Sequence, residues 1–150
     1  MSNDDIIDTL NDLIETSKDG EYGFRTSAEY LQDATLKQSF MARAEECRQA
    51  AAELQQLVLR FGGKAEDSGT AAGALHRGWV AVKGTLAGYT DKAILEETER
   101  GEDTALASYR KALDESLPPD VRLVVERQYE GVKRNHLQIR TLRDAARASV

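Results

Sequence analysis

Cysteine is all but missing. Cys47 stands alone, so no internal disulfide can staple the chain and no paired-cysteine zinc motif is available. Proline is as scarce, with Pro118 and Pro119 the whole complement, so little interrupts a helix. Aromatic residues make up 6% of the chain, too few for an aromatic-rich β protein. Purely apolar runs are only a few residues long, which excludes a membrane-spanning helix. The start, MSNDDIIDTL, is acidic and carries no basic segment followed by an apolar stretch. No secretory signal is read there, and a cytoplasmic location is the expectation. Positive charge is in deficit: 20 Lys and Arg face 26 Asp and Glu, a net charge of −6. That argues against sequence-independent DNA or RNA binding, which needs a basic surface. Nucleophile elbow, phosphate loop and dinucleotide fingerprint are all missing.

What is present is helical periodicity. The 150 residues, 41% hydrophobic and 31% charged, suit one soluble globular domain over 1–150. The spacing predicts a first helix from about Asp4 to Leu31, capped by Ser2 or Asn3. Its inward stripe is Ile7, Leu10, Ile14, Ser17, Glu21, Phe24, Ala28 and Leu31. Gly20 and Gly23 inside it suggest a close helix contact or a local bulge. A second helix starts at Asp33 and runs to about Phe61, ended by Gly62 and Gly63. A shorter helix from about Ala71 to Leu86 carries Trp79 and Val82. A further helix spans about Asp91 to Glu115, and Pro119 opens the last, which reaches about Ala146. No strand pattern occurs. The two short links make antiparallel pairs, and the long middle link can carry the chain the length of the bundle. The expected fold is all-α, a four-helix bundle with a long crossover containing a short extra helix.

Polar residues interrupt the apolar stripes. Glu21 lies on the first, Glu99 and Glu102 on the fourth segment's stripe, and His136 on the last. A lone ionised carboxylate in a core is expensive unless it is paired or binds a metal. Counting from the hairpins sets Glu21 opposite Glu46, Glu102 level with Lys133, and Glu99 level with His136. Periodicity leaves open whether Glu99 or Glu102 points further inward. Cys47 reads as a small core residue, with a soft ligand or redox thiol as the alternative. Arg140, Arg143 and Arg147 recur at helical spacing, as a solvated face or a partner surface.

The stretch ILEETERGEDTALASYRKAL resembles the third long helix of ferritin-like proteins, and HLQIRTLRDA resembles the segment after the ligand histidine of their last helix. With IETSKDGEYGF and AAGALHRGW, residues 4–147 resemble a family of uncharacterised bacterial ferritin-like proteins. The resemblance implies a ferritin-like four-helix bundle. Di-iron members place one Glu on each of two helices and Glu-x-x-His on the other two. Carried over, Glu21 and Glu102 match the single glutamates, with Glu99 competing for the second. The paired motifs fall at 46–49 and 133–136, where Gln49 replaces the histidine and Lys133 the glutamate. The implied metal set is therefore Glu21, Glu46, Glu99, Glu102 and His136, a partial site for iron, zinc or manganese.

Two readings follow. In one, the chain is a metal-handling protein, with ferroxidase-like oxidation of ferrous iron and a stress role by analogy with relatives. In the other it is a metal-free structural or interaction bundle, with Lys133 bonded directly to Glu102 in place of a decayed site. No catalytic residue is assigned. A homodimer or another protein partner suits either reading; nucleic acid and membrane suit neither.

Overall fold

The structure, a computed structural model, describes residues 1–65 and 90–148. Four helices fill them: α1 Asn3–Ala28, α2 Ala34–Arg60, α3 Asp91–Leu113 and α4 Pro119–Ala148. The described residues contain no strand. The segment expected as a short helix, with His76 and Trp79, lies outside them.

The helix ends follow local chemistry. Ser2 and Asp5 form a reciprocal capping box at the start of α1. The Asp33 carboxylate accepts from the Leu36 amide and the Thr90 hydroxyl from the Ala93 amide. At the end of α2, the Gly63 amide donates to the Val58 carbonyl and the Gly62 amide to the Leu59 carbonyl. This is a Schellman motif, and Gly62 supplies its left-handed residue at φ +80°. α1 stops a turn earlier than the apolar pattern predicts, although Leu31 stays buried. The next amides have another acceptor: Gln32 and Asp33 both donate to the carboxylate of Asp91, at 2.7 and 3.0 Å.

Contacts between helix ends fix the directions. The Asn11 amide donates to the Lys64 carbonyl, so the start of α1 lies beside the end of α2. The Asp91 clamp sets the start of α3 beside the end of α1. Arg60 pairs with Asp120 at 2.5 Å, setting the end of α2 beside the start of α4. Neighbouring helices are thus antiparallel, and the link from α2 to α3 joins opposite poles of the bundle. A helix of this length spans about 40 Å, so the connection has to be long.

The core has two apolar blocks. One holds Leu10, Ile14, Leu54, Val58, Val121 and Val125; the other holds Phe24, Leu31, Phe40, Ala44, Ile94, Leu95 and Ile139. Phe24 meets Phe40 edge to face at 5.3 Å. Burying a side chain such as Phe40 contributes about 2–3 kcal/mol from solvent transfer alone. Between the blocks lies a mid-height layer with Ser17, Gly20, Cys47, Glu102 and Gln128. The α2–α4 seam is the loosest of the four. That layer and the α3–α4 seam hold the polar residues of interest.

Candidate functional site

Two arrangements occupy the mid-height layer. The first is a cavity of about 560 Å³ walled by all four helices. α1 contributes Gly20 and Phe24, α2 Cys47 and Ala50, α3 Glu102, Ala105 and Tyr109, and α4 Gln128 and Val132. Gly20 is what lets α1 come so close: a Cβ there would lie 2.9 Å from the Cys47 sulfur. The Tyr109 hydroxyl donates to Gln128 Oε1 at 2.7 Å, and Gln128 Nε2 donates to Glu53 at 2.8 Å. Glu102 is different. It is 5% exposed, and its Oε1 has no hydrogen-bond partner. Burial pushes its carboxyl up to about 8; nearby Arg43 pulls the other way, and Glu46 and Asp103 add to the rise. At neutral pH it is mostly an uncharged acid. The Cys47 thiol is likewise driven upward, by burial first and then by Glu102, Glu46 and Glu21, so it stays protonated.

The second arrangement lies on the α3–α4 seam. Glu99 and Asp103 are one turn apart on α3, and His136 faces them from α4. One ligand atom from each falls within 4.8 Å of the other two. His136 Nε2 lies 2.6 Å from Asp103 Oδ1. Glu99 is 7% exposed, and its charge is matched by Arg143, bonded to one oxygen, and by Arg140, 3.6 Å from the other. Two carboxylates and an imidazole suit a single divalent ion of the manganese, iron or zinc type.

The sequence-derived set does not converge on one point. Glu21 stands on the flank of α1, paired with Arg25 at 2.9 Å and Lys18 at 4.0 Å. Gly20 takes the inward position instead, because a helical stripe can step by three or four residues and here it steps by three. Glu46 does not face Glu21. It is exposed, binds Arg43 at 2.8 Å and accepts from Asn135 at 3.0 Å, while Cys47 turns toward α1. Glu99 and Glu102 are both buried but diverge, one to the arginines and one to the cavity. His136 takes Asp103, not Glu99, as its direct partner. Lys133 makes no bridge to Glu102: it pairs with Glu130 at 2.7 Å and lies 4.6 Å above the Tyr129 ring. Arg143 and Arg147 are committed to Glu99 and Glu96. Asp103 was missed because it is exposed and off the apolar stripe. Its only signal is the four-residue step from Glu99. The set therefore does not fit a di-metal centre, but two of its members, Glu99 and His136, join Asp103 in a cluster that fits one ion.

The model of the family described as Domain of unknown function (DUF2383) matches residues 5–115. No curated protein matches the chain. Among solved structures, a Dps1 mutant of Mycobacterium smegmatis superposes with a TM-score of 0.78 at 14% identity, covering 95% of this chain and 99% of that one. The bacterioferritin-related protein of Bacteroides fragilis, described as a dodecameric thioferritin, gives 0.78 at 15% identity, covering 99% of this chain and 90% of that one. The fold is ferritin-like. No helix among the described residues is long and apolar enough to cross a membrane.

Proposed function

The chain belongs to the DUF2383 family, and on that premise we propose that it is a ferritin-like metal-handling protein that binds one divalent cation through Glu99, Asp103 and His136. The observation that carries this is the convergence of three ligand atoms within 4.8 Å from two facing helices. Asp103 orients the imidazole and offers a carboxylate, and Glu99 supplies the second carboxylate. A bound iron would supply one-electron chemistry with oxygen or peroxide, and the ferritin-like fold of the neighbours favours iron within the class. The arginines are the opposing term: a cation gains Glu99 only by displacing Arg143 and Arg140, which lowers its affinity. Glu21 and Glu46 stand in other ion pairs, and Glu102 turns into the cavity, so they are outside this set. A cytoplasmic location and a role under metal or oxidative stress belong to the same reading. So does self-association, given the dodecamer named for the Bacteroides protein; light scattering on the purified chain reads it.

The test is titration of chelator-treated protein with anaerobic ferrous iron, manganese and zinc, read by calorimetry and elemental analysis. About one ion per chain is expected, lost in His136→Ala and in Asp103→Asn but retained in Glu21→Ala. Equal uptake by wild type and His136→Ala overturns the assignment. Arg143 and Arg140 on Glu99 favour a second reading, in which the layer is a metal-free structural network. No uptake of any of the three ions selects it.

A further inference from the structure

The mid-bundle cavity is not needed for the metal reading and carries features of its own. Its volume of about 560 Å³ is that of a pocket for a small organic molecule and far exceeds the space one ion fills. Phe24, Ala50, Ala105 and Val132 give it apolar walls. Its wall carboxylates Glu46 and Glu53 are already engaged, by Arg43 and by Arg127. Glu102 is the exception: a side chain only 5% exposed, lining the cavity, with an oxygen that nothing in the protein meets. A buried polar atom left without a partner is costly, and that cost is recovered by anything that donates a hydrogen bond to it. The bare oxygen and the apolar walls call for a molecule with both characters.

We infer that this cavity is a binding site for a small organic molecule with an N–H-donating head, an amine or a primary amide, on an apolar body, and that the free oxygen of Glu102 receives the head group. The apolar body lies along Phe24 and Val132. Hydrogen bonding at Glu102 fixes the orientation, and the apolar walls add contact area without selecting a head. The site uses none of Glu99, Asp103 and His136 and does not depend on a metal there.

The experiment uses the full chain freed of metal by chelation, so the neighbouring cluster plays no part. Benzamide, benzylamine and methyl benzoate are titrated separately and followed by amide chemical shifts and by saturation transfer to the ligand. The three share a ring and differ in head group, and methyl benzoate cannot donate. Benzamide or benzylamine should bind about tenfold tighter than methyl benzoate, the worth of one good hydrogen bond to a buried group. Shifts should centre on Ala50, Gly101 and Gly131. Whichever of the two binds tighter identifies a neutral or a cationic head. Glu102→Met removes the acceptor and should erase the preference. Ala105→Phe fills the space and should abolish binding of all three. Equal affinity for the three probes in wild type, or no binding at about 10 mM, overturns the proposal. So does a preference that survives Glu102→Met. The wild-type comparison needs no variant, so the result does not hang on a substitution that fails to fold.

Discussion

Glu102→Gln isolates the energetic consequence of a carboxyl buried without a partner. The folded-state value of about 8 lies well above the ordinary 4.5. Between those two pH values the folded chain keeps a proton that the unfolded chain releases. Stability therefore falls as pH rises through this window, at up to about 1.4 kcal/mol per pH unit. Integrated from pH 5 to pH 8, the loss is about 3–4 kcal/mol, an upper figure because water entering the cavity would screen the ion. Gln keeps the shape of the side chain and cannot ionise, so the variant escapes the loss. The assay is urea unfolding followed by circular dichroism on metal-free wild type and Glu102→Gln at pH 5, 6, 7 and 8. Other groups titrate alike in both proteins and cancel in the difference. Relative to its standing at pH 5, the variant should gain about 3–4 kcal/mol over wild type by pH 8. A difference that stays flat within about 0.5 kcal/mol would mean that Glu102 is solvated or paired, and would refute the burial argument.

Three further outcomes follow from the same contacts. Arg143→Met frees one Glu99 oxygen and should tighten divalent-ion binding about tenfold, the scale on which groups around a metal site act; calorimetry in which it weakens binding would show that the arginine supports the site. Gly63→Ala sets a methyl group 2.7 to 2.9 Å from three carbons of Ile7, which no single rotation relieves. It should cost about 1–3 kcal/mol in urea unfolding, and much less in an Ile7→Ala background; equal costs in both backgrounds would locate the strain elsewhere. Cys47, held protonated by burial and by three acids, should react with a disulfide reagent at pH 8 at least about a hundredfold more slowly than in urea, and rapid labelling of the folded chain would contradict its placement.

The helices were legible because their signals are local. Ser2, Asp33, Thr90 and Pro119 mark starts, Gly62 and Gly63 mark a stop, and each acts within one turn of itself. The end furthest from its expected place, that of α1, depends on Asp91, some sixty positions away, whose carboxylate takes the amides of Gln32 and Asp33. The middle of the bundle was harder for a related reason. Periodicity places a residue to within about one helical step, enough to find that Glu99 and Glu102 are buried but not to say where their carboxylates go. Long charged side chains then choose partners by reach rather than by register. Glu21 goes sideways to Arg25, Glu46 goes to Arg43 and Asn135, and Glu99 goes to Arg143. Glu102 makes no ion pair, since nearby Arg43 is bonded to Glu46 and Gln138, so it alone keeps the unpaired buried character that the apolar stripe suggested for all of them. Asp103, exposed and off the stripe, carried no burial signal, yet it is the residue that His136 meets. Hydrophobic pattern thus finds polar groups that interrupt a core, and misses those that enter a site from its rim.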